Sequence, residues 1–199
     1  PEKLNTSEKS LTYSQLNEFD SIEEIRNYII DKEVETVLRE SHTYHFEWLE
    51  KKLEIPLRKN LLIWREFVEI TERRNLFVHN EGLVNQNYLK ICTKNEVNLK
   101  NIKIGDRLNV SPEYFESAYK CLYEISVKLS HTLWRKLSKH DIEHADDALN
   151  EVCYNLLSNR EFHLADILLD FATSQKRHHN EIIKNVFTIN KALSKYLAG

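Results

Sequence analysis

The amino-acid sequence predicts an all-α protein. Glycine and proline, the residues that most often interrupt helices and form turns, each occur only 3 times in 199 residues. Apolar residues recur at the three- and four-residue spacing of amphipathic helices along most of the chain. Several of these patterns begin after a serine or an asparagine, which are preferred helix N-cap residues. Long helices joined by few turns are therefore expected.

Composition restricts the classes of protein to which the chain can belong. Hydrophobic residues make up 41% and charged residues 30%, as in one ordinary globular domain with at most a small appendage. The net charge of −3 provides no overall positive field, so RNA would have to bind a local patch. No apolar run approaches the length of a membrane span, and no signal-peptide pattern is present. We expect no association with a membrane.

The three cysteines predict neither a disulfide framework nor a zinc site. Cys92, Cys121 and Cys153 are far apart and outside any C-x-x-C pattern. They are expected to be small buried residues in a reducing compartment, and hence the protein is expected to be cytoplasmic. The chain contains no methionine, not even an initiator, which predicts a processed product or an excised portion of a longer protein.

The first half of the chain begins with a loose polar lead-in over residues 1–19. Ser21 and Glu24 then form a capping-box pattern, and apolar residues at helical spacing follow. This helix is predicted to run to about Leu53, and Pro56 separates it from the next element.

A second long amphipathic helix is predicted from Leu57 to about Asn80, stopped near Gly82. Asn85 caps a short third helix. Residues 95–110 break the helical period and predict a small hairpin or an ordered loop. A serine followed by proline then starts a fourth helix over about 112–138.

The C-terminal part of the chain predicts three shorter helices, over 148–157, 162–173 and 182–197. The first two resemble one tetratricopeptide-type helical hairpin, with small residues where the helices cross. We therefore expect a bundle over 20–140 and a short helical-repeat-like extension over 145–199. A single hairpin cannot bury its own apolar face, so the extension is expected to pack on the bundle or to continue beyond Gly199.

The end of the second helix carries an unusual polar stretch, RRNLFVHN, at residues 73–80. On a helical wheel, Arg74 falls in an apolar arc with Ile70 and Phe77, and His79 lies about 140° away. A guanidinium in an apolar arc is costly unless a partner or an anion meets it. Two copies of this helix packed across a two-fold axis would bring Arg74 and His79 together.

The run Arg74-Asn75-Leu76-Phe77-Val78-His79 resembles the R-x4-H signature of the HEPN superfamily. The resemblance implies an antiparallel helical bundle over roughly residues 20–140. It also implies a homodimer formed through the Arg74–His79 helix, and a metal-independent endoribonuclease of the toxin or antiviral-defence kind. One toxin branch carries a tyrosine two positions after the histidine, where this chain has Glu81, so neutralisation through that tyrosine is not expected.

The residue types in this run suit cleavage of RNA by its own 2′-hydroxyl. Histidine titrates near neutral pH and moves protons, so His79 is the candidate general acid or base. Arg74 offers forked donors to the scissile phosphate, and Asn75 positions one of the two. Glu72 is a supporting candidate that would orient His79, and the other supporting candidates are Arg73 and Asn80. No metal or cofactor is required.

Three alternatives remain open from the sequence. The polar stretch is also typical of a helix end, where asparagine and histidine near the last turn bond free carbonyls and Gly82 closes the helix. An inactive HEPN-like domain would serve as a dimerisation and protein-interaction module, with a protein partner on the C-terminal helices. A metal hydrolase built on His140 and His144 is the third, although the stretch HDIEH is a polar bend without the glutamate that follows the first histidine in zincins.

Overall fold

The structure is a computed structural model, and it describes residues 11–198 of the chain. Over this range it contains α-helices and one 3₁₀ turn and no β-strand, which confirms the all-α prediction. The helices are α1 (Tyr13–Leu16), α2 (Ile22–Leu38), α3 (His42–Leu53), α4 (Trp64–His79), α5 (Gln86–Lys94), α6 (Pro112–Leu137), α7 (Ile142–Ser158), α8 (Phe162–Thr173) and α9 (Glu181–Ala198). No helix of this described range is long and apolar enough to cross a membrane. Of the predicted lead-in, residues 1–10 lie outside the described part.

The predicted first helix is wrong in one respect, because it consists of the two helices α2 and α3. The break comes at Ser41, whose extended backbone and side chain cap α3 by accepting a hydrogen bond from the Tyr44 N–H at 3.3 Å. At the start of α2, Ser21 accepts a hydrogen bond from the Glu24 N–H as predicted. The internal cap went unrecognised because the apolar spacing continues across it as far as Leu53.

The predicted second helix begins later than expected, at Trp64 rather than at Leu57. Residues 58–60 form the 3₁₀ turn. Arg58 donates both its backbone N–H (2.7 Å) and its side-chain Nε (2.9 Å) to the carboxylate of Glu50 in α3. These bonds join residue 58 to α3, and the boundary between two compact units of the chain falls between Asn60 and Leu61.

The second compact unit, from Leu61 onward, contains both the RRNLFVHN stretch and the C-terminal helices. Within it, α6 packs against α4 and also against α7 and α8. Its side chains Tyr123 and Val127 pack against an apolar cluster that is formed by α7, α8 and α9 and includes Leu149, Leu168 and Phe187. The boundary that the sequence predicts between the bundle and the C-terminal extension, at residues 140–145, lies within this second unit.

The irregular segment 95–110 is an ordered loop that pairs with the residues following α4. The Leu108 N–H donates to the Gly82 carbonyl and the Val84 N–H donates to the Asp106 carbonyl, both at 2.9 Å. An isolated antiparallel bridge joins Leu83 to Arg107. Of the two forms that the sequence left open, the loop is therefore the one observed.

Asp146 is a fully buried carboxylate that connects three parts of the second unit. It lies in α7 and accepts hydrogen bonds from Arg135 of α6 at 2.5 Å, from the His178 imidazole at 3.0 Å and from the His179 backbone N–H at 2.8 Å. Burial opposes its ionisation, but these hydrogen bonds outweigh burial and lower its pKa. The helix that contains Asp146 starts at Ile142, within the stretch predicted to be a bend, and Ile142, Ala145 and Leu149 are buried at helical spacing along it.

His131 of α6 is buried, and its ring stacks on that of Trp134 at a centroid distance of 6.0 Å. Its Nδ1 atom has no hydrogen-bond partner among the described residues. Burial and the neighbouring charge of Arg135 lower its pKa to about 4. The folded protein therefore keeps this imidazole neutral at pH values where the unfolded chain takes up a proton.

His131 should make the protein less stable in mild acid. The unfolded-state pKa is about 6.5 and the folded-state pKa about 4, so the free energy of unfolding should fall by up to about 3 kcal/mol as pH decreases between these values. The variant His131→Phe keeps an aromatic ring and cannot titrate, so its urea unfolding should depend less on pH between 7 and 4.5. An equal pH dependence in the wild type and His131→Phe would contradict this, and exposed His163→Gln is the control.

Candidate functional site at the end of α4

The end of α4 is held by hydrogen bonds that involve Asn80 and Gly82. The Asn80 N–H donates to the Leu76 carbonyl at 2.8 Å, and the Asn80 side chain donates to the Leu83 carbonyl at 2.6 Å. Gly82 has φ of 77°, a left-handed conformation that favours glycine, and a Cβ atom there would stand 2.8 Å from the Phe77 ring. Asn80, one of the supporting candidates for the site, therefore ends the helix through these hydrogen bonds. This is the role that the helix-end interpretation predicts, and it accounts for the end of α4 after His79.

Arg73 and Glu69 form a largely buried ion pair on one face of α4, with Nε and Oε1 2.7 Å apart. The guanidinium of Arg73 stacks on the ring of Tyr114 from α6, 4.1 Å from its centroid. The hydroxyls of Tyr88 in α5 (2.8 Å) and Tyr114 (2.7 Å) both donate to the Glu69 carboxylate. Arg73 also donates to the Asn109 carbonyl at 3.0 Å. Arg73 therefore connects α4 with α6 and with the loop that contains Asn109. Its guanidinium N–H groups are used in contacts within the protein.

The sequence revealed only part of this network. Glu69 and Arg73 stand one helical turn apart, which is a visible pairing signal. Tyr88 and Tyr114 come from other helices, and no local pattern connects them to α4. The sequence therefore predicts Arg73 as a supporting residue of the site and does not indicate the hydroxyl groups that complete the network.

Arg74 has a different environment from its neighbour, because its side chain is exposed. It lies in the apolar arc that the wheel predicted, but part of its surroundings is exposed: Phe77 of that arc is 39% exposed and the neighbouring Val78 is 55% exposed. The Nη1 atom of Arg74 donates to the Asn75 Oδ1 atom at 3.3 Å. The expected desolvation of this guanidinium does not occur in the single chain.

Asn75 links Arg74 to the buried carboxyl group of Glu72. Glu72 is 5% exposed. Burial raises its pKa, a hydrogen bond from Asn75 opposes this, and the net effect is a raised pKa. A chain of contacts thus runs from Glu72 through Asn75 to Arg74. The structure shows that Glu72 interacts with Asn75, and the orientation of His79 by Glu72 stays a prediction.

His79 is the last residue of α4, and its side chain is exposed. At about 100° per residue it lies about 140° around the helix from Arg74. Asn75 and the exposed Val78 lie between them on the wheel. Within one chain, Arg74 and His79 are therefore both exposed but lie on different sides of the helix.

A cavity of about 400 Å³ lies on the other side of α4, between that helix, α6 and the segment 96–102. Its lining includes Arg65, Glu69, Arg73 and Glu96, but neither Arg74 nor His79. Its two arginines are paired with glutamates, Arg65 with Glu96 and Arg73 with Glu69. The candidate site is consequently an open surface and not this cavity.

The stretch HDIEH forms the start of α7. The His144 Nδ1 atom lies 2.6 Å from the carboxylate of Asp141, which also accepts a hydrogen bond from Trp134 at 2.8 Å. Within residues 11–198, no three or more histidine, cysteine, aspartate or glutamate side chains are grouped so that they could hold a metal ion. His144 and Asp141 therefore take part in the α6–α7 connection.

Comparisons of the chain with protein-family models, with curated proteins and with solved structures give no match. The relation to the HEPN superfamily therefore rests on the run from Arg74 to His79 and stays a prediction.

The two adjacent arginines should differ in their effect on stability. Arg73→Met breaks a largely buried ion pair and leaves Glu69 uncompensated, and should lower the free energy of unfolding by about 2–4 kcal/mol. Arg74→Met should change it by less than about 0.5 kcal/mol, because this side chain is exposed. Urea unfolding of both variants at pH 7 measures the difference. Similar losses in the two variants would contradict the assignment of Arg73 as the structural arginine.

Glu72 should cost stability once it ionises. Because its pKa is higher in the folded protein than its ordinary value of 4.5, the folded state binds more protons, and stability decreases as pH rises above that value. Glu72→Gln keeps the acceptor for Asn75 and removes the charge, so its melting temperature should exceed that of the wild type at pH 7. The difference should disappear near pH 4. Glu66→Gln, an exposed change in the same helix, is the control, and a lower melting temperature for Glu72→Gln at pH 7 would refute the assignment.

Proposed function

We propose that the chain is a metal-independent endoribonuclease related to the HEPN superfamily, acting as a cytoplasmic homodimer in a toxin or antiviral-defence setting. The observation that supports this most is the separation of roles at the end of α4. Arg74 and His79 are exposed, whereas Arg73 and Glu72 are committed to contacts within the protein. The side chains that the reaction requires are thus the ones that solvent and substrate can reach.

The proposed reaction transfers a phosphoryl group within the RNA strand. His79 acts as the general base that takes the proton of the 2′-hydroxyl, whose oxygen then attacks the adjacent phosphorus. The bond from phosphorus to the 5′-oxygen breaks, and that oxygen receives the proton back from the imidazolium of the same His79. The products are a 2′,3′-cyclic phosphate and a 5′-hydroxyl. Arg74 stabilises the charge on the phosphorane through forked donors.

Asn75 and Glu72 have positioning roles in this proposal. Asn75 accepts a hydrogen bond from Arg74 and interacts with Glu72. Because Glu72 is buried, it holds the Asn75 carboxamide in one orientation, and the carboxamide restricts the guanidinium. A guanidinium that is already oriented loses less entropy when it binds the phosphate.

The proposed dimer accounts for the divergence of Arg74 and His79 within one chain. Phe77 and Val78 form an exposed apolar surface between and beside them. A second copy packed on this surface across a two-fold axis would cover it and set Arg74 of one protomer opposite His79 of the other. Burial of exposed apolar area is the driving force for this association.

The second candidate function is an inactive HEPN-like module for dimerisation and protein interaction. One observation favours it, an apolar stripe on one face of α9 that remains exposed. The stripe consists of Ile182, Ile189, Leu193 and Tyr196. Contiguous exposed apolar residues at helical spacing are typical of a surface that binds another protein.

Cleavage of RNA should depend on His79 and not on a metal. The purified protein in EDTA should release fragments that end in cyclic phosphate, and His79→Ala should reduce the single-turnover rate by about 100-fold or more. His163→Ala, a change at another exposed histidine, should leave the rate unchanged. If His79→Ala cleaves at the wild-type rate, the proposed function is wrong and the protein-interaction module becomes the better interpretation.

A mixture of two inactive variants should recover activity if the site is shared between protomers. In a heterodimer of Arg74→Ala and His79→Ala, one composite site carries both changes and the other carries neither. Random exchange of subunits should therefore restore about one quarter of the wild-type rate per protomer. The same mixture should stay inactive if each chain forms its own site. Size-exclusion chromatography with light scattering would test the dimer independently.

A further inference from the structure

Residues 100–107 form a basic loop that the fold holds beside the end of α4. Three backbone hydrogen bonds, all of 2.9 Å, join segment 105–108 to segment 82–84: Leu108 N–H to Gly82, Val84 N–H to Asp106 and Gly105 N–H to Val84. The antiparallel bridge between Leu83 and Arg107 lies among them. The basic loop is thus joined to the segment that follows His79 directly in the chain.

The distance from the basic loop to His79 follows from this pairing. Asn80 and Leu83 are joined by two hydrogen bonds, of 2.8 Å and 2.6 Å, in a tight turn. Such a turn spans less than about 7 Å between its end Cα atoms, and an antiparallel pair adds about 5 Å. Asn80 and His79 are consecutive, with Cα atoms about 3.8 Å apart, so the Cα atoms of His79 and Arg107 lie within roughly 16 Å of each other.

The basic loop carries three cationic side chains, Lys100, Lys103 and Arg107, and all three are exposed. Its one acidic residue, Asp106, uses a carboxylate oxygen to accept the Lys103 backbone N–H at 2.7 Å. Arg107 contacts Glu81 at 3.6 Å, but both side chains are more than half exposed, so this ion pair is weak and exchangeable. In a chain with a net charge of −3, this loop is a locally positive surface.

The tip of the basic loop is an ordered turn. The Asp106 N–H donates to the Lys103 carbonyl at 3.1 Å, and Gly105 takes the left-handed conformation with φ of 87°. Together with the Asp106 side-chain bond, these contacts set the backbone positions of the lysine and arginine. Phosphates that bind here therefore meet cations whose backbone is already in place.

We propose that Lys100, Lys103 and Arg107 bind the phosphates that flank the scissile bond, and that the substrate is single-stranded RNA. This inference rests on the proposed function, since it places the basic loop next to His79. Three cations on one loop match consecutive phosphates of one flexible strand, and an unpaired strand can adopt the in-line geometry that attack by the 2′-hydroxyl requires. The loop supplies affinity and register, and Arg74 and His79 supply the chemistry.

The test measures binding separately from cleavage. A fluorescent 2′-O-methyl oligonucleotide of about 12 residues binds in the manner of RNA and cannot be cleaved through its 2′-oxygen. Its Kd would be measured by anisotropy from about 50 to 200 mM salt for the wild type and for Lys100→Gln/Lys103→Gln/Arg107→Gln. Lys176→Gln/Arg177→Gln/Lys195→Gln is the matched control, because it removes the same charge from exposed residues in and after the α8–α9 connection.

The triple loop variant should bind the oligonucleotide at least about 10-fold more weakly. Its plot of log Kd against log salt should lose a slope of about 2, which corresponds to three single-strand phosphate contacts at about 0.7 each. Each single substitution should remove about 0.7. The control variant should match the wild type, and a duplex of the same length should bind more weakly than the single strand. Wild-type affinity and slope in the loop variant would overturn the inference, as would a preference for the duplex or no binding by the wild type.

The outcomes distinguish this inference from the proposed function. If His79→Ala abolishes cleavage while the loop variant binds like the wild type, the nuclease stands and the assignment of the basic loop falls. If the loop variant loses affinity while His79→Ala cleaves normally, the RNA-binding surface stands and the catalytic assignment falls.

Discussion

The carboxylate of Glu69 is the interaction on which the candidate site depends most. It accepts hydrogen bonds from Tyr88 of α5 and Tyr114 of α6 and pairs with Arg73 of its own helix. A largely buried carboxylate is stable only when its charge and its lone pairs are met, and here three donors from three helices meet them. The same contacts therefore set how α4 is rotated relative to α5 and α6, and hence which of its side chains reach the surface.

Because of the rotation of α4 about its axis, Arg73 contacts other helices and Arg74 is exposed to solvent. Residue 73 faces α6, and residue 74, about 100° further around the helix, faces solvent. Glu72 is buried on yet another side and reaches the surface only through Asn75. Arg74, one of the two proposed catalytic groups, is thus supported by the polar contact with Asn75, as a preorganised site requires.

Helix α6 connects α4 to the C-terminal helices of the second compact unit. Its first half contacts α4 through Tyr114, and its second half binds the buried Asp146 of α7 through Arg135. The apolar cluster of α7, α8 and α9 packs on the middle of α6. The C-terminal helices resemble a repeat hairpin in sequence, but in this structure they share one helix with the candidate site.

Local sequence signals were sufficient where a helix has its own start and stop. The structure confirms the Ser111 cap and the first-position proline of α6, the Asn85 cap of α5 and the 162–173 bounds of α8, because caps and breakers act within a few residues. They failed at Ser41, where the apolar spacing hides a break, and at Trp64, where Arg58 and Glu50 hold the preceding residues to another helix. Pairings of this kind join residues that no short window contains.

For the candidate site, the sequence by itself determined the residue types, their spacing on α4 and the stop at Gly82. Only the tertiary structure decided that Arg73 is internal and Arg74 external, that Glu72 serves Asn75, and that the basic loop lies beside His79. The physical reason is that neighbouring residues of a helix differ in what other segments place against them. Tyr114 and Arg107 are distant from α4 in the chain and come to it only through folding.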